Sequence, residues 1–568
     1  MENEKIDIEK ARHSLSHILA AAVMEMFPEA KLGIGPAIDN GFYYDFDLPR
    51  SLTPADLKQI EKKMRELINQ DIRFEAAEKQ GSGAAEELKD QPYKLELIKE
   101  LEEKGQKISF YKSGQFTDLC AGPHVQSSAE LKNLGWKLDK IAGAYWRGDE
   151  KNKMLQRIYG LAFETKAELE EYEQIRVEAE KRDHKKLGRE LELFIFDETA
   201  PGMPYWLPKG LAIYNTLIDF WRREHKARGY QEIKSPLINK KDLYVTSGHW
   251  EHYREDMFLS ETEEGTYALK PMNCPNAMVV YGLKMRSYRD LPLRLSDCDT
   301  LHRFELSGTV NGLLRARSFS QDDAHIFIRD DQIESEINNI FEIIEKFYKI
   351  FNLEYSFRLS TRPDKFMGDP KVWDRAESIL KSVLDKSGKK YIVKEKDGAF
   401  YGPKIDILMK DSLKREWQMG TIQLDFQLPQ NFKLGYIAED GKEKTPVVIH
   451  RVIYGSLERF IGILTEHFAG AFPVWIAPVQ AIVLPIADRH FEYAEKIKLE
   501  LENANIRIEA DLRTESIGRK IREAEMQKIP FMLIVGDKEI EANKIAVRRY
   551  GEGDKGQMNV EELIKEIL

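Results

Sequence analysis

Between Lys270 and His325 the chain reads KPMNCP, LPLRL, HRFELSG and LLRARSFSQDDAHIF, so a thiol, imidazoles, guanidinium groups and two adjacent carboxylates are interleaved with short apolar runs. Polar groups at that density are costly to bury unless they have partners or ligands, and the stretch reads as an active site. Arg303 and Glu305 stand two residues apart, and on a strand both would face the same side of a sheet. Arg315 and Arg317 repeat the spacing beyond a turn marked by Ser307, Gly308, Asn311 and Gly312, which predicts a hairpin with a long loop. Arginines at the mouth of such a hairpin suit phosphate, because the guanidinium fork meets two phosphate oxygens at once. A surface salt-bridge ladder would use the same spacing.

Two further clusters carry chemistry. Gly455-Ser456-Leu457-Glu458-Arg459 opens RFIGILTEHF, whose residues Leu457, Phe460, Ile461 and Leu464 have helical spacing. The glycine lets backbone approach a ligand, and Arg459 falls in the first turns of a buried helix. Near the N-terminus His13 and His17 are spaced i, i+4, and DLCAGPHV sets Asp118, Cys120 and His124 in a Gly-Pro turn. One thiol and three imidazoles suit a tetrahedral zinc site; neutral imidazoles equally suit a general base that holds a water; two exposed histidines would do neither.

These residues need elements to position them. In IEKARHSLSHILAAAVMEMF the apolar residues Leu15, Ile18, Leu19, Ala22, Val23 and Met26 form one helical face, from which His13 and His17 project together. Residues 163–195 read as a helical linker with a narrow stripe of Leu169, Tyr172, Ile175 and Ala179. GLAIYNTLIDFWRREHKARGYQEIKSPLI predicts a long amphipathic helix and a strand that stops at Pro236, since proline cannot continue a ladder. Beyond the hairpin, helices IFEIIEKFYKIF and WDRAESILKSVLDKS alternate with strands YSFRLST, YGPKIDILM and REWQMGTIQLDFQL in an antiparallel-looking order. No glycine-rich nucleotide loop is present, so a nucleotide, if bound, would be held by arginines on a sheet. From about residue 474, AIVLPIA, IRIEADL, FMLIVG and IAVRRY alternate with two helical runs, which suggests βαβ units and a mixed sheet.

A chain of 568 residues exceeds one core and predicts three or four domains at the usual ~150 residues each. Hydrophobic residues at 42% with 32% charged belong to a soluble globular protein. A net charge of −10 excludes coating of nucleic acid by bulk electrostatics, while leaving room for a local basic patch. Cys120, Cys274 and Cys298 cannot build a disulfide framework. Without a transmembrane-length apolar run or a signal peptide, a cytoplasmic location is expected, with no membrane contact.

The Arg-x-Glu hairpin, the Gly455–Arg459 segment and the run ending at Pro236 together resemble motifs 2, 3 and 1 of the class II aminoacyl-tRNA synthetases. Within that class KPMNCP, YRDLPLRL, QDDAHIF, AFYGPKID, GTIQLDF and VIHRVIYGSLERFIGIL are similar to threonyl-tRNA synthetases, over nearly the whole chain. The resemblance implies an α+β multidomain fold: an α+β N-terminal editing domain (1–162), a helical linker (163–195), a class II antiparallel-sheet catalytic core (196–472) and an α/β C-terminal anticodon-binding domain (473–568). It implies Cys274, His325 and His450 as ligands of one Zn2+ per subunit. It also implies Arg303, Glu305, Arg315, Phe319 and Arg459 around ATP and Mg2+, and Met272, Gln321, Asp323, Tyr401, Gln418 and Ser456 around L-threonine or its adenylate. Editing of seryl-tRNA is implied at His13, His17, Lys94, Asp118, Cys120 and His124, anticodon reading of the threonine tRNA at Arg522, Glu539 and Arg548, and a homodimer through the segment ending at Pro236.

The resemblance is incomplete in places. The family's small N-terminal ubiquitin-like domain is expected to be missing, because the editing helix begins close to Met1. HRFELSG lacks the proline that commonly follows the glutamate, Ser318 stands where glycine is common, and Thr514 stands where asparagine is common. A seryl or prolyl synthetase, or a paralogue that binds tRNA without catalysis, are the competing readings. The Cys274, His325 and His450 set weighs against the first, and the intact arginines weigh against the second.

Overall fold

The computed structural model describes residues 6–78, 86 and 88–568. Its contacts divide into two units, Met1–Glu178 and Ala179–Leu568.

In the first unit, helix α1 (Ile8–Met26) starts at Asp7, whose carboxylate accepts from the Glu9 and Lys10 N–H groups. Every residue from Ser14 to Val23 is buried, so the helix is enclosed on all sides rather than amphipathic as the apolar pattern predicts. Strand β1 (Gly41–Asp47) covers one side and helix α2 (Pro54–Asn69) another, and the run Ala20–Ala22 keeps both close. A small antiparallel sheet of β2 (Phe74–Glu78), β3 (Ser109–Ser113) and β4 (Phe116–Leu119) carries Asp118, and helix α3 (Pro92–Glu103) carries Lys94. The larger antiparallel sheet pairs β1 with β6 (Met154–Phe163) and β6 with β5 (Gly135–Tyr145).

The expected linker is two helices, α4 (Lys166–Arg182) and α5 (His184–Glu190). Asp183 interrupts them by accepting from the Lys185 and Lys186 N–H groups, at 2.8 and 3.0 Å, as an N-cap.

The second unit is built on a nine-stranded sheet, preceded by the amphipathic helix α6 (Pro208–Ala227). Its order is β7 (Gln231–Glu232), β8 (Leu293–Asp297), β10 (Ser318–Ile328), β15 (Val447–Ser456), β14 (Glu416–Asp425), β13 (Lys404–Lys410), β11 (Glu354–Ser360) and β12 (Tyr391–Lys394), with β9 (Thr300–His302) paired to the far end of β10. Only the two outermost pairings are parallel. Helices α8 (Ile333–Ile350), α9 (Pro370–Ser387) and α10 (Leu457–His467) bury their apolar sides with one sheet face. Short helix α7 (Cys274–Tyr281) belongs to a second cluster with Leu293, Leu295 and Phe327.

The strand expected to run up to Pro236 is reduced to the two residues of β7. Asp299 explains the early end: it accepts from the Ser235 N–H at 2.8 Å and from Lys270 Nζ at 2.7 Å, which turns the chain off the sheet.

Past Phe472 the chain forms a mixed sheet in the order β17 (Ile508–Ala510), β16 (Ala481–Pro485), β18 (Phe531–Val535), β19 (Ile545–Arg549) and β20 (Gly553–Met558). The first three are parallel and the last two antiparallel. Helices α11 (Phe491–Asn503) and α12 (Ile517–Met526) supply the crossovers, and α13 (Asp537–Ala542) follows β18. No described helix is long and apolar enough to cross a membrane.

Candidate active site

Strand β10 is the spine of the site. Phe319, Gln321, Asp323 and His325 alternate along it, while Ala324, Ile326 and Ile328 join the main core on the other side. His450 of β15 lies opposite His325, and Gln423 of β14 lies opposite His450. Two adjoining cavities open on this face. One, of about 240 Å³, is bordered by Arg303, Glu305, Arg315, Phe319, Ser456 and Arg459. The other, of about 290 Å³, is bordered by Met272, Cys274, Asp323, His325, Tyr401 and His450. Arg303, Gln321, Thr421, Gln423 and Val452 border both.

In the first cavity the hairpin is shorter than the spacing predicts. The Arg303 N–H still reaches the Arg317 carbonyl at 2.9 Å, but beyond it the chain turns, and Arg303 and Glu305 no longer share a pleat. Both side chains nevertheless border the cavity. Arg315 pairs with Glu305 at 2.8 Å, so part of the salt-bridge alternative is real. Arg317 turns away and donates to the Glu305 carbonyl at 2.8 Å. Arg303 stands 5.1 Å from the centroid of Phe319. Arg459 donates from Nε to the Leu314 carbonyl at 2.8 Å, and Ser456 caps its helix by accepting the Arg459 N–H at 3.1 Å. Burial, then repulsion from Arg303 and Arg315, pushes the Arg459 guanidinium below its usual range. Three cations with one carboxylate between them form a site that a polyanion would relieve.

In the second cavity the ligand atoms of Cys274, His325 and His450 lie within 4.8 Å of one another, and all three residues are buried. Cys274 is the first residue of α7. The His450 Nε2 lies 2.9 Å from Asp425, whose other oxygen accepts from the Gln427 and Leu428 N–H groups. A carboxylate can only accept, so Nε2 carries the proton and Nδ1 is left with a free lone pair that can ligate a metal, buried and without a hydrogen-bond partner among the described residues. Burial pushes the Cys274 thiol well above and His325 well below their usual ranges. One sulfur and two imidazole nitrogens, with a carboxylate orienting one ring, fit a zinc ion that keeps an open position.

The N-terminal cluster assembles in the first unit. Cys120 Sγ lies 3.2 Å from His13 Nε2 and 3.1 Å from His124 Nε2. The ligand atoms of these three residues converge, and His17 is not among them, so the four do not form a four-ligand site. His17 lies deeper, edge-on to Phe116 at 4.9 Å and to His124 at 5.0 Å. Burial lowers His13, takes His17 to about 3 and His124 to about 2, and raises Cys120 to about 11. The cluster is therefore uncharged near neutrality. Beside it the buried Lys94 pairs with Asp118 at 2.8 Å, and Tyr44 donates to the same carboxylate.

Comparison with known proteins agrees with this geometry. Residues 257–468 match the family described as tRNA synthetase class II core domain (G, H, P, S and T). Residues 480–568 match an anticodon binding domain, and residues 108–159 match the threonyl and alanyl tRNA synthetase second additional domain. The threonine–tRNA ligase of Acetivibrio thermocellus is 52% identical over 98% of this chain and 88% of its own length. That of Caldanaerobacter subterraneus is 54% identical over 98% and 86%. The chain belongs to the threonyl-tRNA synthetase family. A crystal structure of the RNA binding domain of threonyl-tRNA synthetase from Cryptosporidium parvum matches 68% of this chain and 97% of its own, at 42% identity and a TM-score of 0.66.

In this member of the threonyl-tRNA synthetase family Gln418 borders the first cavity. The Gln418 amide is tied to Asp406 and Arg358, both at 2.8 Å, and its backbone carbonyl is what Arg459 reaches. Gln423, which the motif reading misses, borders both cavities and accepts from the Tyr401 hydroxyl. Its period-two spacing from Thr421 and Asp425 is the signal that would have found it. His249 is a second omission: its Nε2 lies 3.2 Å from Met272 Sδ and 3.8 Å from Cys274 Sγ.

In the C-terminal sheet Arg522 is exposed on α12, and Arg548 of β19 pairs with Glu525 of the same helix at 3.3 Å. Both Glu539 oxygens are engaged within the domain, by the Gly536 N–H and by Gln557.

Proposed function

We propose that the protein joins L-threonine to its tRNA through a threonyl-adenylate, using ATP with Mg2+, and hydrolyses seryl-tRNA formed in error. Family membership supports the overall reaction. The observation that carries the division of labour is the pair of adjoining cavities on one sheet face, one rich in arginine and the other in zinc-type donors. Arg303 would meet the α-phosphate, Phe319 and Glu305 the adenine, and Arg315 and Arg459 the outer phosphates. The threonine carboxylate attacks the α-phosphorus, a phosphorus–oxygen bond forms, and pyrophosphate leaves with the electron pair of the bond that breaks. Charge that builds on the phosphoryl oxygens is met by guanidinium groups already fixed by Leu314 and Phe319.

Cys274, His325 and His450 would hold one zinc ion per subunit, oriented by Asp425. When bound, zinc offers a Lewis-acidic position suited to an amino group and a hydroxyl. Asp323, Gln321, Tyr401, Met272 and Gln423 surround the threonine, with Gln418 and Ser456 at the nucleotide end. Serine also has the hydroxyl and lacks only a methyl, which binding distinguishes by ~1–3 kcal/mol, so a second check is needed. We assign that check to His13, His17, Cys120 and His124, whose uncharged rings can orient a water and take its proton, with Lys94 and Asp118 alongside.

The domain limits proposed are 1–162, 163–195, 196–472 and 473–568, with Arg522, Glu539 and Arg548 facing the anticodon. A homodimer is proposed because Leu237 and Ile238, which follow Pro236 directly, are exposed; sedimentation of an active monomer would count against it. Three free cysteines and a tRNA substrate fit a cytoplasmic location.

Metal analysis of Cys274→Ser, His325→Ala and His450→Ala tests the assignment. Each should lose zinc and threonine-dependent ATP–pyrophosphate exchange, while ATP binding survives. Normal threonine activation by a metal-free Cys274→Ser protein would overturn the metal reading.

A further inference from the structure

Behind the arginine cavity, the turn Gly312–Leu314 is held by a side chain outside every motif. His184, the first residue of α5, is buried, and its Nε2 accepts the Leu313 N–H at 3.1 Å. Its Nδ1 lies 2.7 Å from Glu466, near the end of α10. Glu466 is also bound by Arg415; burial alone would raise its carboxyl, but the hydrogen bonds from His184 and Arg415 outweigh it and leave it below the usual range, so it only accepts. The imidazole therefore carries its proton on Nδ1 and keeps Nε2 bare for Leu313. A separation of 2.7 Å between nitrogen and oxygen leaves no room for an ion between them.

The fit around the ring is close. A Cβ on Gly312, whose φ is +53°, would lie 2.3 Å from His184 Nε2. A Cβ on Gly462 of α10 would likewise meet the Leu313 side chain at 3.1 Å and the ring Cδ2 at 3.6 Å. The next carbonyl along the turn, Leu314, is the acceptor of Arg459 Nε, and the next residue is Arg315. One imidazole thus fixes the turn that aims two of the three cavity arginines.

We infer that His184, oriented by Glu466, is a positioning residue for the nucleotide: it holds the Gly312–Leu314 turn so that Arg315 and Arg459 converge on the phosphates. The inference rests on the reading of that cavity as the ATP site. It predicts an effect confined to ATP, since Leu314, Arg315 and Arg459 border the first cavity and not the second, and His184 itself borders neither.

The experiment is ATP–pyrophosphate exchange on the full-length chain. His184→Asn can keep the Glu466 contact but leaves the buried Leu313 N–H without an acceptor, and should raise KM for ATP about tenfold with KM for threonine unchanged. His184→Gln, whose amide oxygen reaches the place of Nε2, should restore most of the loss. Gly312→Ala, whose Cβ would press on His184 and displace the turn while leaving the imidazole in place, should reproduce the Asn effect and keeps the test alive if the Asn protein fails to fold. An unchanged KM for ATP in His184→Asn or Gly312→Ala overturns the inference, as does a Gln variant no better than Asn. Arg459→Ala is the control: if it leaves KM for ATP unchanged, the assignment of the cavity has failed instead.

Discussion

Asp322 is fully buried, and its carboxylate accepts from the Ile453 N–H at 3.1 Å and the Gly455 N–H at 3.2 Å, which pins the bulge where β10 meets β15. Burial raises it to about 7. An unfolded aspartate titrates near 3.9, so the folded chain keeps a proton that the unfolded chain loses. This group's contribution to stability is then greatest below the unfolded value and declines as pH rises through about 7. Asp322→Asn removes the titration. Its stability relative to the parent chain should improve from pH 5 to pH 7, on the order of 1 kcal/mol per pH unit, in chemical unfolding followed in the core. A constant difference would mean that the carboxylate stays ionised against its two N–H donors. The sequence presents Asp322 and Asp323 as one acidic pair, yet strand parity sends Asp323 to the cavity and Asp322 to the back. Parity was available in the sequence; the bulge was not, because it depends on which strand lies alongside. Motif position picked out Gln418, which borders the first cavity, but not Gln423, which borders both.

At the scale of elements, the strand pair β14 and β15 closes the floor of both cavities, and Gly455 sets how near they come. Its φ is +84°, and a Cβ there would lie 2.5 Å from the Met419 carbonyl oxygen. Gly455→Ala should therefore part the strands beside Ser456, cost about 1–3 kcal/mol in stability and raise KM for ATP. Thermal melts read with pyrophosphate exchange check this; an unaltered KM would mean that the shift is absorbed away from the cavity. Several helices were legible from their period, as with α8, whose residues Ile340, Ile344 and Phe347 all reach the core, although the helix begins at Ile333, seven residues before the run that was read. Elements whose ends depend on distant side chains were not. Asp299 and Lys270 end β7 early. The Asp183 cap that divides the linker is local, and the reading of 163–195 as one helical linker hid it. The spacing of Arg303 and Glu305 identified their shared cavity although the strand stops before them.

Across the whole molecule, the N-terminal cluster lies in Met1–Glu178 and the two cavities in Ala179–Leu568. That separation was readable in the sequence because each cluster is local to its own stretch. His124→Ala should release seryl-tRNA while leaving the rate of threonylation unchanged, in paired charging assays with serine and threonine. Equal rejection of serine by the variant and the parent chain would remove the editing assignment. No residue belongs to both sites, so each acts as a separate filter with its own failure probability. The frequency of wrong product is then the product of two probabilities, and its logarithm is a sum. A substitution that relaxes the first filter and one that disables the second should add on that scale, with a coupling energy near zero. Fidelity in such a chain can be improved one factor at a time.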